Sequence, residues 1–294
     1  MITAATSGTW TLGDIPVHRL GFGAMRLTGS AAFDLGAPSD RSRSLAVLRR
    51  ARELGVNHID TAAIYFSALR SANELINSAL APYPDDLLIS TKVGPVRDVT
   101  GEWLEWARPD QLRGHVEENL RQLGRDHLDL VNYRTDGRRS VAEHFGALAE
   151  LRAAGLIRHL GLSNADPDQL AEAQRIAPVV CVQNRFGLGA TPAQRAVLDV
   201  CGASGVAFVP FFAIAGKGAE AGAEHADGPA LLAVAEAHGA TPAQVRLAWS
   251  LAQGPHVLAI PGTGNPVHLE QNVAAGAIRL TAAELAALDA EAAG

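Results

Sequence analysis

The sequence is short of the residues on which several classes of protein depend. It has two cysteines in 294 residues, Cys181 and Cys201, and neither belongs to a CxxC pair or to a His/Cys cluster at zinc spacing. A disulfide scaffold and a metal site are therefore not expected. The 25 basic residues are outnumbered by 31 acidic ones, which argues against a nucleic-acid partner, because phosphate binding requires a concentrated basic face.

Long apolar runs are also missing. No stretch reaches the roughly 18 apolar residues that a membrane helix needs, and the first residues lack the basic start and the apolar core of a signal peptide. We therefore expect a cytoplasmic protein without a membrane partner, present as a monomer or a weak homo-oligomer.

Apolar residues are abundant, and they recur in short runs that alternate with amphipathic segments. With 48% hydrophobic and 19% charged residues, a substantial core is expected. Apolar strands without clean alternation, joined by helices, are typical of a parallel sheet covered by helices. Eight such runs lie near residues 20–24, 57–61, 87–92, 129–133, 157–162, 179–183, 206–211 and 257–260.

Eight βα units in a chain of this length predict an α/β fold of the (β/α)8 TIM-barrel type. The segments WTLGD and IPVHRLG predict a β-hairpin before the barrel, and TAAELAALDAEAA predicts a C-terminal helix. No Pro/Gly/Ser-rich linker divides the chain, so we expect a single domain over residues 1–294. The Gly-rich stretch 214–228 is predicted to be a long functional loop. A doubly wound open sheet is the alternative fold.

Side chains at the predicted strand ends form a coherent chemical set. Chemistry in such a barrel is found at the carboxyl ends of the strands, where Asp60 and Tyr65 follow the second strand and Lys92 ends the third. An adjacent ammonium makes a phenol a stronger acid, and an aspartate holds that ammonium charged and oriented. The set predicts a general acid that protonates a developing alkoxide. The alternative is a solvated lysine and a tyrosine that packs a loop.

The same motifs, in order and at matching spacing, resemble those of the aldo-keto reductase superfamily. They are LGFGAMR, HIDTAAIY, STK, LDLVNYR, GLSN, VQN, VPFF and IPGT. The resemblance implies a carbonyl reductase in which Tyr65 is the proton donor, tuned by Lys92 and Asp60. It further implies that the nicotinamide carboxamide binds Ser163, Asn164 and Gln183, and that the ring stacks on Phe211. Met25 is expected at the barrel mouth, beside the cofactor.

Two positions depart from the family pattern. Arg134 stands at the end of strand four, where histidine is common; arginine is permanently charged and acts as a donor, so it can bind a substrate oxygen without shuttling a proton. After strand eight, where many members carry Lys and Arg, this chain has Gly262, Thr263 and His268, with Asn272 placed to meet the adenine. Because amide groups at a helix start still attract an anion, we expect NADPH rather than NADH.

The departures themselves resemble the bacterial pyridoxal reductases of that superfamily, in which N-x-R in strand four accompanies PGT after strand eight. This resemblance implies reduction of pyridoxal to pyridoxine. A keto sugar, or another aldehyde or ketone, is the alternative substrate, and a non-catalytic nucleotide-binding regulatory barrel is the remote alternative. A serine hydrolase is a further rival, because Gly161–Ala165 nearly matches the G-x-S-x-G motif. Trp103 and Trp106 either wall the substrate or pack their own loop.

Overall fold

Seven parallel strands form the sheet of the computed structural model, which describes residues 2–30, 35–137, 140–214 and 227–293. Their order is β3, β4, β7, β8, β9, β10 and β11, so each strand pairs with its neighbour along the barrel. Two antiparallel hairpins, β1–β2 and β5–β6, lie outside this sheet. The strands are β1 (Thr9–Leu12), β2 (Ile15–His18), β3 (Phe22–Gly23), β4 (His58–Asp60), β5 (Phe66–Ser67), β6 (Arg70–Ser71), β7 (Leu88–Val93), β8 (Leu128–Arg134), β9 (Ile157–Ser163), β10 (Val179–Arg185) and β11 (Ala207–Phe211).

The barrel closes through the eighth predicted strand, which is shorter than expected. Val257 makes an isolated parallel bridge to Phe208 on one side, and Ala259 makes one to Leu20 on the other. Backbone hydrogen bonds also join the first and last strand positions of the barrel, a junction that we call the barrel seam. They run from Gly21 N to Ala259 O at 2.8 Å and from Gly23 N to Pro261 O at 3.1 Å. The predicted TIM-barrel fold is therefore confirmed, and the open-sheet alternative is wrong.

Ten α-helices are present in the described residues, and most begin at a residue whose side chain caps the first turn. Asp166, Thr191 and Thr241 each accept a hydrogen bond from the backbone N–H three residues later, and a proline follows each of them because the first helical N–H has no partner to lose. The helices are α1 (Arg41–Glu53), α2 (Ala72–Leu80), α3 (Leu112–Leu123), α4 (Ala142–Ala153), α5 (Pro167–Gln174), α6 (Pro192–Ala203), α7 (Pro229–Ala237), α8 (Pro242–Ala252), α9 (Pro266–Ala274) and α10 (Ala282–Ala293).

The β1–β2 hairpin covers the amino-terminal end of the barrel. Leu12, Ile15 and Val17 of the hairpin are buried in one cluster with Leu88 and Leu130, which lie near the starts of their strands. This end is therefore filled with apolar side chains, and a cavity lies at the opposite end. Within the described ranges, no helix has both the length and the apolar character of a membrane span. Most of the predicted loop 214–228 lies outside the described residues.

Candidate active site

A cavity of about 290 Å³ lies at the carboxyl ends of the strands. Its walls come from the two ends of the chain as well as from the middle, because the barrel brings all strand ends together. Nine of the predicted site residues line it: Met25, Asp60, Tyr65, Lys92, Arg134, Ser163, Gln183, Phe211 and Gly262. Arg26, which the sequence places at the barrel mouth beside Met25, also lines this cavity. The other lining residues were not among the predicted site residues; they are Gly23, Pro210, Phe212, Ala213, Ile214, Ile260 and Pro261.

Asp60, Tyr65 and Lys92 form one buried group. Lys92 Nζ donates to Asp60 Oδ1 at 2.6 Å and to the Thr61 carbonyl at 3.1 Å, and it lies 5.1 Å from the centre of the Tyr65 ring. Burial lowers the pKa of Lys92, but the Asp60 charge and the contact with Tyr65 outweigh it, so the net shift is upward. The lysine is therefore held as a cation beside the phenol.

Asp60 is itself oriented by its neighbours. Gln183 Nε2 donates to Asp60 Oδ2 at 2.7 Å, and Ser90 Oγ lies 3.5 Å from the same oxygen. Ser90 in turn accepts a 2.9 Å hydrogen bond from Asn132 Nδ2. Neither the bond from Gln183 nor the Ser90–Asn132 pair was foreseen, although the parallel register places Ser90 directly opposite Asp60.

The bond to Asp60 fixes which way the Gln183 amide points. A carboxylate accepts hydrogen bonds and donates none, so the amide nitrogen must face Asp60. Gln183 Oε1 is then left buried with no partner among the described residues, in a side chain that lines the cavity. A buried acceptor without a donor is costly, and the cavity therefore has a position that suits a ligand's N–H group.

Arg134 ends β8 and is half-buried beside this group. It lies opposite Ser163 on β9, and both line the cavity. The Arg134 Nε atom is buried and has no acceptor within the part of the chain that the structure describes. A guanidinium carries five N–H donors in a planar fork, so this wall of the cavity is suited to an oxygen-rich or anionic group.

The apolar wall comes from the end of β11. Phe211 lines the cavity, and its ring meets that of Phe212 edge to face at 5.2 Å. Phe212 has a φ of +59°, a left-handed conformation that is strained for a bulky residue. The chain therefore turns sharply after Phe211, which places both rings at the cavity.

Four predicted cofactor residues do not line this cavity. Asn164 is exposed at the end of β9, and its own backbone turns through a φ of +59°. Thr263 is buried and accepts a hydrogen bond from Asn265 N at 3.0 Å, just before α9. On that helix His268 is exposed and Asn272 is buried. Thr263, His268 and Asn272 follow one another along the chain into α9, whereas Asn164 follows β9, and the roles predicted for all four stay predictions.

Gly262 has a packing role that the sequence did not reveal. A Cβ atom at this position would collide with the Gly23 carbonyl oxygen. The glycine therefore permits the close approach of the two segments that close the barrel seam.

Two alternatives lose support from the cavity. No histidine is found among its described lining residues, so Ser163 lacks the base that a serine hydrolase requires. Neither Trp103 nor Trp106 lines it, which favours the packing alternative for both rings. No group of three potential metal ligands is found in the described ranges.

The barrel, its hairpin and the strand-end group together define a class of protein. The model of the aldo/keto reductase family matches residues 19–292, and the chain belongs to that family of oxidoreductases. Among its relatives, pyridoxine 4-dehydrogenase of Escherichia coli is 43% identical over 97% of this chain and 98% of that protein. An uncharacterised oxidoreductase of Schizosaccharomyces pombe is 38% identical over 99% of this chain and 92% of that protein.

Solved structures agree with this assignment. An aldo-keto reductase from Klebsiella pneumoniae in complex with NADPH is 27% identical, with a TM-score of 0.80 over 100% of this chain and 96% of that one. A thermostable aldo-keto reductase in complex with the inhibitor epalrestat is 29% identical, with a TM-score of 0.79 over 96% and 97% of the two chains. The predicted family and enzyme class are therefore confirmed.

Proposed function

We propose that this protein is an NADPH-dependent reductase that converts pyridoxal to pyridoxine. The observation that carries the proposal is the half-buried Arg134, whose Nε lacks a partner among the described residues, in the same cavity as Tyr65. The likeness to pyridoxine 4-dehydrogenase over nearly the whole chain supports it.

The cavity fits the nicotinamide end of the dinucleotide, which supplies a hydride when bound. Gln183 Oε1 is a buried acceptor that needs a donor, and a carboxamide offers one in its NH2 group. Ser163 provides a hydroxyl next to it, and Phe211 provides an aromatic face. These three residues would hold the amide and the plane of the ring. A solved relative, the aldo-keto reductase from Klebsiella pneumoniae, was determined in complex with NADPH, which supports this choice of cofactor.

The proton comes from the chain itself. On reduction of a bound carbonyl, negative charge would develop on its oxygen, and Tyr65 would donate its phenolic proton to that oxygen to give the alcohol. The Lys92 ammonium stabilises the phenolate that remains, and Asp60 keeps Lys92 charged and oriented. Tyr65 is 6% exposed, so little water competes for the proton.

Arg134 selects the substrate in this proposal. Pyridoxal carries an acidic hydroxyl next to its aldehyde, and the ionised oxygen and the carbonyl oxygen together match the two donors of a guanidinium edge. A histidine at this position would reach one of the two oxygens. The fork of Arg134 would therefore hold the substrate in plane with its carbonyl directed to Tyr65.

The decisive experiment measures oxidation of NADPH and NADH with pyridoxal, simple aromatic aldehydes and keto sugars. We expect pyridoxal with NADPH to give the highest kcat/KM, and NADPH to exceed NADH by about tenfold or more, since one charge-assisted hydrogen bond to the 2′-phosphate suffices for that ratio. Turnover of the other carbonyl compounds but not of pyridoxal would refute pyridoxal as the substrate. Binding of NADPH without turnover of any carbonyl would favour a regulatory barrel.

Three further expectations stay predictions. They are the cytoplasmic location, the monomeric or weakly oligomeric state, and the single domain over residues 1–294.

A further inference from the structure

An arginine lies between two aromatic rings next to the candidate active site. Arg97 follows β7 in the chain and is 9% exposed. Its guanidinium lies 4.5 Å from the centre of the Phe66 ring and 5.5 Å from that of Trp103. Phe66 directly follows Tyr65 in the chain. The stack therefore joins the loop after β7 to the segment that carries the proton donor.

The edges of the same guanidinium bind two backbone carbonyls. Arg97 Nη1 donates to Ile64 O at 2.8 Å, and Nε donates to Gly101 O at 3.1 Å. Ile64 precedes Tyr65 and Phe66 follows it, so Arg97 contacts the residues on both sides of the tyrosine. We propose that Arg97 is a positioning residue that holds Tyr65 in line with the substrate carbonyl; this inference rests on the proton-donor role proposed above.

The backbone of Tyr65 itself makes two hydrogen bonds. Tyr65 N donates to Ala62 O at 3.0 Å, and Tyr65 O accepts from Ala72 N at 2.9 Å, but the residue lies outside the barrel strands, just before the short hairpin β5–β6. Tyr65 belongs to the segment 61–66, and Lys92 Nζ fixes the start of this segment by donating to the Thr61 carbonyl. Arg97 fixes its other end, so two cations that follow one another on and after β7 hold both ends of the segment.

A second cavity borders the residues on both sides of Tyr65. It has a volume of about 460 Å³ and is lined by Ile64 and Phe66, by Arg97 itself and by residues of α3, among others. Removal of the guanidinium would enlarge this space and leave Ile64 and Phe66 free to shift into it.

Arginine is suited to this role and lysine is not. A planar guanidinium can stack on aromatic faces while its edge donates to two carbonyls, whereas an ammonium is a compact, strongly hydrated charge without a face. The exchange Arg97→Lys consequently keeps the charge near the site and removes the geometry.

The test compares Arg97→Lys, Arg97→Met and Phe66→Leu with the matched control Arg108→Lys. Arg108 lies in the same connection, pairs with Asp110 and has a side chain that is 64% exposed. For each variant we would measure kcat, the Kd of NADPH by fluorescence, and the solvent deuterium isotope effect on kcat. We expect both Arg97 variants to lose about ten- to a hundredfold in kcat, the effect of misplacing a reacting group by about 1 Å.

The accompanying readouts separate positioning from folding. The Kd of NADPH should stay unchanged in the Arg97 variants, and the solvent isotope effect should rise because proton transfer becomes slower. Phe66→Leu, which keeps both hydrogen bonds of Arg97, should give a smaller loss in the same direction, and it tests the idea even if an Arg97 variant fails to fold. Arg108→Lys should match the wild type.

Three results would overturn the inference. Normal kcat in Arg97→Lys would show that charge suffices. If kcat fell only as far as the fraction of protein that still binds NADPH, with an unchanged solvent isotope effect, Arg97 would have a purely structural role. Normal kcat in both Arg97→Met and Phe66→Leu would show that Tyr65 needs no such support. A parallel Tyr65→Phe variant tests the proposed function separately. Normal turnover of this variant would show that Tyr65 is not the proton donor, whatever the Arg97 variants do.

Discussion

Replacement of Arg134 by methionine removes the cavity's unpartnered donor while keeping most of its bulk. The Nε atom of Arg134 is buried with no acceptor in the described residues, and the side chain lines the cavity with Tyr65 and Ser163. A substrate with a carbonyl and an adjacent ionised oxygen uses two donors of the fork. A substrate with the carbonyl alone uses one.

The magnitude follows from that difference of one hydrogen bond. A charge-assisted hydrogen bond contributes about 1.5–3 kcal/mol, so pyridoxal should lose about ten- to a hundred-and-fiftyfold more kcat/KM than pyridine-4-carbaldehyde, which lacks the hydroxyl. Steady-state kinetics with saturating NADPH, for the wild type and Arg134→Met on both aldehydes, measure the ratio. Arg134→Lys serves as the matched control, since it keeps the charge without the fork and should recover part of the loss.

Equal losses on the two aldehydes would refute this reasoning. Arg134 would then be a general anchor for carbonyl oxygens, and the adjacent hydroxyl would have no recognised partner in the cavity.

Three further predictions concern the proton donor, a helix and a buried histidine. Tyr65→Phe and Lys92→Met should each lower kcat by at least about a hundredfold with NADPH binding intact in a fluorescence titration; near-normal turnover would contradict the assignment. Gly146→Ala, in the middle of α4 where a Cβ meets nothing, should raise the free energy of unfolding in urea by about 0.5–1 kcal/mol, whereas Gly155→Ala, at a φ of +82°, should lower it. Burial lowers the pKa of His58 from 6.5 to about 4, so between these two pH values the imidazole binds a proton in the unfolded chain and not in the folded one. Acidification from about pH 7.5 to pH 5 should therefore lower the free energy of unfolding by about 2 kcal/mol. A folded His58→Gln protein should lack this loss.

The helix boundaries could be predicted from the sequence because their chemistry is local. A glycine after the last helical turn accepts a left-handed conformation, and five glycines in this position have φ values between +57° and +82°. They are Gly55, Gly124, Gly155, Gly205 and Gly239. Thr241 and Thr281, which directly precede α8 and α10, accept the capping hydrogen bonds from Gln244 N and Glu284 N.

The centre of the candidate site was also predictable, since parallel strands bring their carboxyl ends to one place. Asp60, Lys92 and Gln183 lie on three strands and meet through hydrogen bonds of 2.6 and 2.7 Å. Tyr65 lies beyond its strand, and its chemistry beside Asp60 and Lys92 selected it before the resemblance to a family gave it the role of proton donor. No periodicity would have selected it.

Contacts between separate loops left no signal in the sequence. Arg97 meets Ile64, Phe66 and Trp103 because two connections fold over one another, and this depends on the shape of the whole barrel. The eighth strand was expected at full length but makes isolated bridges. The predicted cofactor residues Asn164 and His268 are exposed, since position along the chain does not determine which way a side chain points.

The seam of the barrel has a consequence for the order in which this protein is made. Gly23 and Gly262 lie in contact although 238 residues separate them in the chain, and both line the catalytic cavity. Synthesis proceeds from the amino terminus, so a nascent chain that has reached α8 still lacks the Ile260–Gly262 wall of its cavity. Pairing across so long a loop carries a large closure entropy and is a slow type of event in folding. The cavity, and with it the surface that would hold a dinucleotide, is therefore complete only after residue 262 has been translated.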